Sequence, residues 1–359
     1  MSLNQKFPLP LHTMNIDILS TEQLELLKQL IADSQNILVC CHKSPDGDAL
    51  GSSLAWSSYL RNLGKQVTLA VPDAFPDFLR WQPDVEKIVR YDRHPDIVDK
   101  ALNEAQLIFC LDFNAPGRLD GMQESFEKAK AKRVMFDHHL DPDLDAVVSA
   151  SHPEMSSTSE VVFRVLWQLG EFDKIDKKMA STIYSGMMCD TGGFTYNSSR
   201  PEIFFIICQL LTKGIDKDKI YRNVYNNYSQ WAIRLRGYLM SQKLNYLEDY
   251  HASFYTLTRD DMRNFHYVRG DQEGLVNEPL RIKGTKLSIS LREDDRHDNT
   301  VWVSLRSVDD FPCNEMAARF FNGGGHLNAS GGRLDCSMDE AENITRQAIM
   351  AYGDLLKKK

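Results

Sequence analysis

From residue 20 onward the chain alternates between two apolar rhythms. "STEQLELLKQLIADS" places leucines at helical spacing behind a Ser20/Gln23 capping box, which predicts a helix. "NILVCC" (36 to 41) is a continuous apolar run bounded by polar residues, the pattern of a strand covered on both faces. "DALGSSLAWSSYLRNLG" (48 to 64) returns to helical spacing and stops at Gly64. "KQVTLAV" (65 to 71), "AQLIFCLD" (105 to 112) and "KRVMFDHH" (132 to 139) repeat the strand pattern, with helical or turn-rich sequence between them. This β-α-β order predicts an α/β fold: a Rossmann-like parallel sheet with helices on both faces, whose ligands gather beyond the carboxyl ends of the strands.

From 156 to 246 the rhythm is mainly helical, in "SSTSEVVFRVLWQL", "KKMASTIYSGMMCD", "PEIFFIICQLLTKG" and "QWAIRLRGYLMSQKL". Strands return in "HASFYTLT", "TKLSISLRE" and "TVWVSLRS", followed by a glycine cluster and a last helix near 338 to 356. A length of 359 residues exceeds what one core usually serves. The expected organisation is a first domain over 15–230, a helical linker over 231–249, and a smaller α/β (α+β) domain over 250–359, with the active site in the cleft between the two. No apolar run approaches the roughly 20 residues of a membrane span; "IFFIICQLL" (203 to 211) reads as a buried helix. The N-terminus has no basic segment leading into an apolar one, so a cytoplasmic protein without a signal peptide is expected. The terminal "KKK" reads as a solvated tail.

Net charge is −8 and neither half of the chain is basic. That argues against a duplex-binding protein, which usually neutralises many phosphates with a cationic face. Any nucleic-acid substrate should be short. The seven cysteines show no Cys-x-x-Cys spacing, and several (Cys40, Cys41, Cys110, Cys189) lie in apolar segments. They read as core residues rather than a thiolate zinc site.

Three of the four strand ends carry a carboxylate or histidine as the apolar run stops: His42 with Asp46 and Asp48, then Asp112, then Asp137, His138 and His139. Asp190 of "MMCDTGGF" ends a helical stretch. Taken singly, an Asp after a strand is usually a helix cap and Pro-Asp-Gly a turn. Together on one rim, so many carboxylates would repel unless cations neutralise them. Four aspartates (Asp46, Asp48, Asp112, Asp190) and two histidines (His42, His138) suit two divalent ions roughly 3.5–4 Å apart. Oxygen-rich ligation without thiolate favours Mn²⁺ or Mg²⁺, with Fe²⁺ or Co²⁺ as further occupants. Such a pair activates a bridging water for phosphoester hydrolysis. In "HKSPDGDALG", Asp46 follows the fixed φ of Pro45, Asp48 follows a permissive Gly47, and Gly51 with Ser52 lets the helix start pack closely.

"HKSPDGDALGS", "CLDFNAPGR", "FDHH" and "CDTGGF", in this order, resemble the four motifs of the DHH phosphoesterases, and "FNGGGHLNASGG" (321 to 332) resembles the glycine-rich signature of the domain that accompanies DHH in one large subfamily. "SSTSE" (156 to 160) is similar to a further family feature. The resemblance implies one metal held by His42, Asp46, Asp112 and Asp190, and the other by Asp48, Asp112, His138 and Asp190. It implies that His139 faces the scissile phosphate while Asp137 orients the histidines. It also implies that the amides of Gly323, Gly324 and Gly325, with His326 and Arg306, bind a substrate phosphate, in keeping with glycine amides forming an anion-binding concavity and arginine gripping phosphate. Against this, the three glycines could be a flexible turn and Arg306 a solvated strand residue.

Size and architecture are similar to the compact nanoRNase and 3′-phosphoadenosine 5′-phosphate phosphatase branch. That branch implies short single-stranded RNA, dinucleotide (pApA) and nucleoside bisphosphate substrates, no duplex DNA, no membrane, and a homodimer as a candidate assembly. Three alternatives are an inorganic pyrophosphatase or exopolyphosphatase-type hydrolase, a single-strand DNA exonuclease, and a catalytically silent nucleotide sensor. Two departures from the family pattern bear on substrate preference: the acidic "LDPD" after the histidines, and "SSRP", where Arg200 is expected to alter the substrate pocket.

Overall fold

The structure, a computed structural model, describes residues 14–357 with the exception of Arg269. The N-terminal stretch read for a signal peptide, and Lys358 and Lys359 of the expected solvated tail, lie outside the described residues. The chain divides into two compact units between Asn227 and Tyr228.

The first unit is built on six parallel strands: β1 (Asn36–Cys41), β2 (Gln66–Val71), β3 (Val89–Arg90), β4 (Leu107–Leu111), β5 (Lys132–Asp137) and β6 (Val148–Ser151), in the order β3-β2-β1-β4-β5-β6. The reversal of direction lies between β1 and β4, which pair directly, and crevices at such switch points are where ligands bind in open α/β sheets. The central strands are apolar throughout because both faces are covered. Ile37, Val39, Phe109 and Phe136 enter one core, whereas Leu38, Cys40, Ile108 and Met135 enter the other.

The helices of this unit are α1 (Thr21–Asp33), α2 (Gly47–Asn62), α3 (Pro95–Glu104), α4 (Gln123–Lys128), α5 (Thr158–Gln168), α6 (Lys177–Asp190), α7 (Pro201–Thr212) and α8 (Lys217–Tyr225). The α2 and α6 backbones approach closely through glycine. A Cβ on Gly51 would stand 2.6 Å from the Thr182 carbonyl oxygen, and one on Gly186 would stand 1.9 Å from Ser159 Oγ. Gly47 lies in helical conformation, not in a left-handed one; what it requires is space, since a Cβ there would meet Cys189 Sγ at 2.2 Å. The α7 helix corrects the reading of "IFFIICQLL" as buried: Ile203, Ile206 and Leu210 face the core, while Phe204, Cys208 and Leu211 are exposed. No described helix is long and apolar enough to cross a membrane. Every cysteine is an unpaired thiol, and Cys40, Cys41 and Cys110 are buried in the sheet.

The second unit opens with α9 (Gln230–Tyr238), the helix expected as a linker. Its Leu235, with Leu239 just beyond, packs on Tyr255 and Leu257 of that unit. Six strands follow: β7 (Asn245–Leu247), β8 (Ala252–Leu257), β9 (Leu287–Glu293), β10 (Val301–Ser307), β11 (Gly324–His326) and β12 (Ala329–Leu334), in the order β11-β12-β10-β9-β8-β7. The β8–β9 pair is parallel and the others are antiparallel. The helices α10 (Arg259–Asn264), α11 (Cys313–Phe320), α12 (Met338–Ala351) and the short α13 (Gly353–Leu356) complete the unit. One sheet face, through Val301, Val303 and Leu305, forms a core with Met316, Ala317, Ala348 and Ile349. Alternation then turns Trp302, Ser304 and Arg306 toward the opposite face.

Candidate metal centre

The parallel sheet delivers its polar residues to one rim, as each apolar strand runs out. His42 follows β1, Asp112 follows β4, and Asp137, His138 and His139 end β5. Asp112 takes a positive φ of 64°, a conformation tolerated by aspartate and seen at functional sites, while its amide still donates to the Phe136 carbonyl at 3.0 Å.

Asp46 answers to both of its sequence readings at once. Its Oδ1 caps α2 by accepting from the Asp48 and Ala49 amides at 2.9 and 3.0 Å, and its Oδ2 lies 4.0 Å from His42 Nε2. His42 Nε2 is also 3.3 Å from Asp112 Oδ2. The other carboxylate oxygen of Asp112 lies 3.6 Å from His138 Nε2, which is 3.9 Å from Asp48 Oδ2 and 3.2 Å from Asp190 Oδ2. Donor atoms of His42, Asp46 and Asp112 fall within 4.8 Å of one another, and so do those of Asp48, Asp112 and His138. Two groups able to hold a divalent cation therefore share Asp112, with Asp190 placed against the second at the end of α6, and a third grouping joins Asp112 to Asp137 and His139.

The electrostatics fit this donor set. Burial disfavours a charged His42, yet its hydrogen bond to Asp112 and the charges of Asp46 and Asp112 prevail and raise it to about 9. Burial likewise opposes charge on His138, and the Asp112, Asp48 and Asp137 carboxylates raise it nonetheless. Burial, then the neighbouring Asp112 and Asp190, push Asp48 well up. Asp190 rises through burial and the charges of Asp46 and Asp112. Asp112 goes the other way: burial would raise it, but the hydrogen bond from His42 and the surrounding imidazoles hold it well below the carboxylate range. The site thus draws in positive charge by any route available, and divalent cations supply it without protons.

Asp137 accepts from the His139 main-chain amide at 3.0 Å and from its Nδ1 at 2.8 Å. His138 instead meets the Met155 carbonyl through Nδ1 at 3.4 Å. Two features went unassigned in the sequence. Arg118, the last residue of "CLDFNAPGR", brings Nη2 to 3.5 Å from His139 Nε2, placing a cation beside an otherwise acidic rim. The "SSTSE" turn donates the Thr158 and Ser159 amides to Asp48 at 2.6 and 2.9 Å, and the Thr158 hydroxyl to Asp112 at 2.9 Å. Asp48 thereby sits at the N-terminus of α5, where helix dipole and amides favour an anion. Arg200, expected to alter the substrate pocket, has its guanidinium engaged by both carboxylate oxygens of buried Glu160, at 3.0 and 2.9 Å.

In the second unit, Ala329 pairs with Arg306 on one side and His326 on the other. Arg306 and His326 therefore lie in one row of the sheet, two strands or roughly 10 Å apart, on the face opposite that unit's core. The glycines divide by role. A Cβ on Gly323 would strike the Gly331 carbonyl oxygen at 1.9 Å, and Gly325 has a φ of 138° with Ala329 O at 2.7 Å from its would-be Cβ. Gly324 is exposed and meets nothing within 4 Å. Gly324–His326 of "GGGH" thus form a paired strand, and Gly323, just before it, donates its amide to the Ala317 carbonyl at 3.2 Å.

Fold and site together define a class, an α/β enzyme whose strand ends gather a centre suited to divalent cations. Residues 36–187 match the DHH family, N-terminal domain. The bifunctional oligoribonuclease and PAP phosphatase NrnA of Thermus thermophilus is 25% identical over 91% of this chain and 94% of its own. An exopolyphosphatase-related protein from Bacteroides fragilis, known as a crystal structure, is 47% identical, with a TM-score of 0.90 over 94% of this chain and 98% of that one. RecJ from Thermus thermophilus in complex with Mn²⁺ shares the fold at 14% identity, with a TM-score of 0.54 over 95% of this chain and 56% of that one. The chain belongs to the DHH family.

Proposed function

We propose that the protein is a cytoplasmic Mn²⁺-dependent phosphoesterase that releases mononucleotides from short single-stranded oligonucleotides such as pApA, and AMP from 3′-phosphoadenosine 5′-phosphate. The observation that carries the reading is the pair of ligand groups sharing Asp112, in a chain similar to NrnA over nearly its whole length. His42, Asp46, Asp112 and Asp190 would hold one cation, and Asp48, Asp112, His138 and Asp190 the other. Mg²⁺, Co²⁺ and Fe²⁺ suit the same donors. Bound there, two cations supply an acidified water as nucleophile and neutralise charge on the phosphorus centre.

The protein's own groups supply the rest. Asp137 fixes the ring plane of His139 and keeps a proton on Nδ1, so that Nε2 faces the reacting phosphate. Arg118, beside that nitrogen, suits a phosphate oxygen through charge-assisted hydrogen bonds. In the second unit, Arg306, His326 and the exposed residue Gly324 are the candidate anchors for a second substrate phosphate, while Gly323 and Gly325 let the strands close. Duplex DNA and membranes are not expected partners, and a homodimer is the assembly to test.

A second reading, inorganic polyphosphate or pyrophosphate hydrolysis, draws support from the 47% identity to the Bacteroides fragilis protein. A Mn²⁺-supported assay on a dinucleotide, a strand of about 20 nucleotides, 3′-phosphoadenosine 5′-phosphate and pyrophosphate separates the two. Fast release of mononucleotide from the dinucleotide supports the first reading. Preference for pyrophosphate moves the protein to the second.

A further inference from the structure

Residues 155–160 join the metal centre to a buried ion cluster. On one side this segment meets three of the proposed ligands: the Met155 carbonyl faces His138, the Thr158 and Ser159 amides hold both oxygens of Asp48, and the Thr158 hydroxyl holds Asp112. On the other side stands Glu160, with no exposed surface. Its Oε2 accepts from the Ser156 amide at 2.8 Å and hydroxyl at 2.7 Å. Its Oε1 accepts from Arg164 Nε and Nη2 at 2.9 and 2.8 Å. Arg200 Nη2 then reaches both oxygens, and Arg200 Nη1 lies 3.5 Å from Met155 Sδ.

The two arginines do different things. Arg164 belongs to the same helix as Glu160, at i+4, so it sets the carboxylate's rotamer without tying the turn to anything beyond that helix and the Ile16 carbonyl. Arg200 comes from the N-cap of α7, 40 positions along the chain. Through Ile203 and Ile206 the α7 helix enters the same core as Ile183 and Met187 of α6, the helix that ends in Asp190. A buried carboxylate shared by cations from two helices has few alternative arrangements, because leaving either charge unpaired in the interior is costly.

We infer that Arg200, acting through Glu160, is a positioning residue for the metal centre: it locks the 155–160 turn so that Asp48, Asp112 and His138 present their donor atoms in fixed directions. The inference rests on the reading of the centre given above. It assigns a role to the one arginine in "SSRP" that a merely solvated residue at that position could not fill, and it makes metal affinity depend on a side chain that touches no proposed ligand.

The test uses the full chain as wild type, Arg200→Met, Arg200→Lys and Glu160→Gln. Two quantities are measured: Mn²⁺ affinity by calorimetry, and amide hydrogen exchange across 155–161 in the metal-free protein. Arg200→Met is expected to weaken Mn²⁺ binding by about tenfold or more, the scale seen when groups that orient metal ligands are removed. Exchange across the turn is expected to accelerate, and Arg200→Lys to recover part of both. Glu160→Gln, which keeps the shape and removes the charge, should reproduce the loss if Arg200→Met does not fold. Unchanged Mn²⁺ affinity and unchanged exchange in Arg200→Met and Glu160→Gln, whatever happens to the melting temperature, overturn the inference. Should the wild type bind no Mn²⁺, the two-cation reading fails by itself, and the exchange data still decide: faster exchange in Arg200→Met upholds the lock, and equal exchange refutes it.

Discussion

Asp137 grips His139 twice, through the main-chain amide at 3.0 Å and through Nδ1 at 2.8 Å. Side chain and backbone are held by the same carboxylate, which favours one ring orientation and a proton on Nδ1, so that Nε2, beside Arg118, is the nitrogen proposed to meet the phosphate. Asp137→Asn removes the charge that favours the Nδ1 proton. It is expected to lower kcat roughly 10²-fold, within the range assigned to positioned acid–base groups, with both cations still bound, because neither residue is among the six proposed ligands. Steady-state kinetics paired with a metal titration checks both halves. A variant that loses its metals instead would make Asp137 part of the ligand set.

The α2–α6 crossing sets where Asp48 and Asp190 stand relative to each other. A methyl group on Gly186 would stand 1.9 Å from Ser159 Oγ and 2.9 Å from Asp48 Oδ1, so helix and turn would have to part. Gly186→Ala should cost about 1–3 kcal/mol, the usual range for overpacking a tight core, and should weaken metal binding at the same time. Urea denaturation of the metal-free protein gives the first number and calorimetry the second. Full stability together with full metal affinity would show that the backbone gives way more easily than the packing implies.

Metal binding should release protons. His42 is raised to about 9, and His138, Asp48 and Asp190 are raised as well, so below the raised values these groups hold protons that a cation must displace. The sign is fixed by the direction: apparent Mn²⁺ affinity increases as pH rises from about 6 toward 9 and falls as pH drops. Calorimetry in two buffers of different ionisation enthalpy counts the protons. Affinity independent of pH across that window would contradict the electrostatic account of the centre.

Gly323 and Gly324 of "GGGH" should respond differently to substitution. Gly323→Ala collides with the neighbouring strand and should destabilise the second unit, whereas Gly324→Ala meets open space and should leave stability within about 0.5 kcal/mol of wild type, as for ordinary surface changes. If the Gly324 amide approaches a substrate phosphate, Gly324→Ala raises KM for the dinucleotide with kcat nearly unchanged. Thermal melts and initial rates separate these effects.

Much of this was legible in the sequence because the central strands are covered on both faces and so read as unbroken apolar runs. "NILVCC" and "AQLIFCLD" mark the strands Asn36–Cys41 and Leu107–Leu111 with little ambiguity, and polar residues that follow them belong to the candidate metal centre. The edge strands did not announce themselves. Val89–Arg90 has two residues, Val148–Ser151 alternates over only four, and so short a strand carries little periodic signal. Motif spacing could name His42, Asp48 and Asp112 but not the amides of Thr158 and Ser159, since a backbone donor has no residue-type signature. The partner of Arg200 was hidden for a related reason: Glu160 lies 40 positions away, and only tertiary packing joins the two. The exposed face of Pro201–Thr212 misled because its residues are apolar on every side, so pattern could not say which side was covered.

Asp112 is proposed to serve two cation sites at once, and equilibrium dialysis with electron paramagnetic resonance using Mn²⁺, on wild type and Asp112→Ala, decides it. Two Mn²⁺ per chain with spin coupling between them are expected, and both sites are lost in a folded Asp112→Ala protein. One uncoupled ion per chain, or two ions unaffected by the substitution, would contradict it.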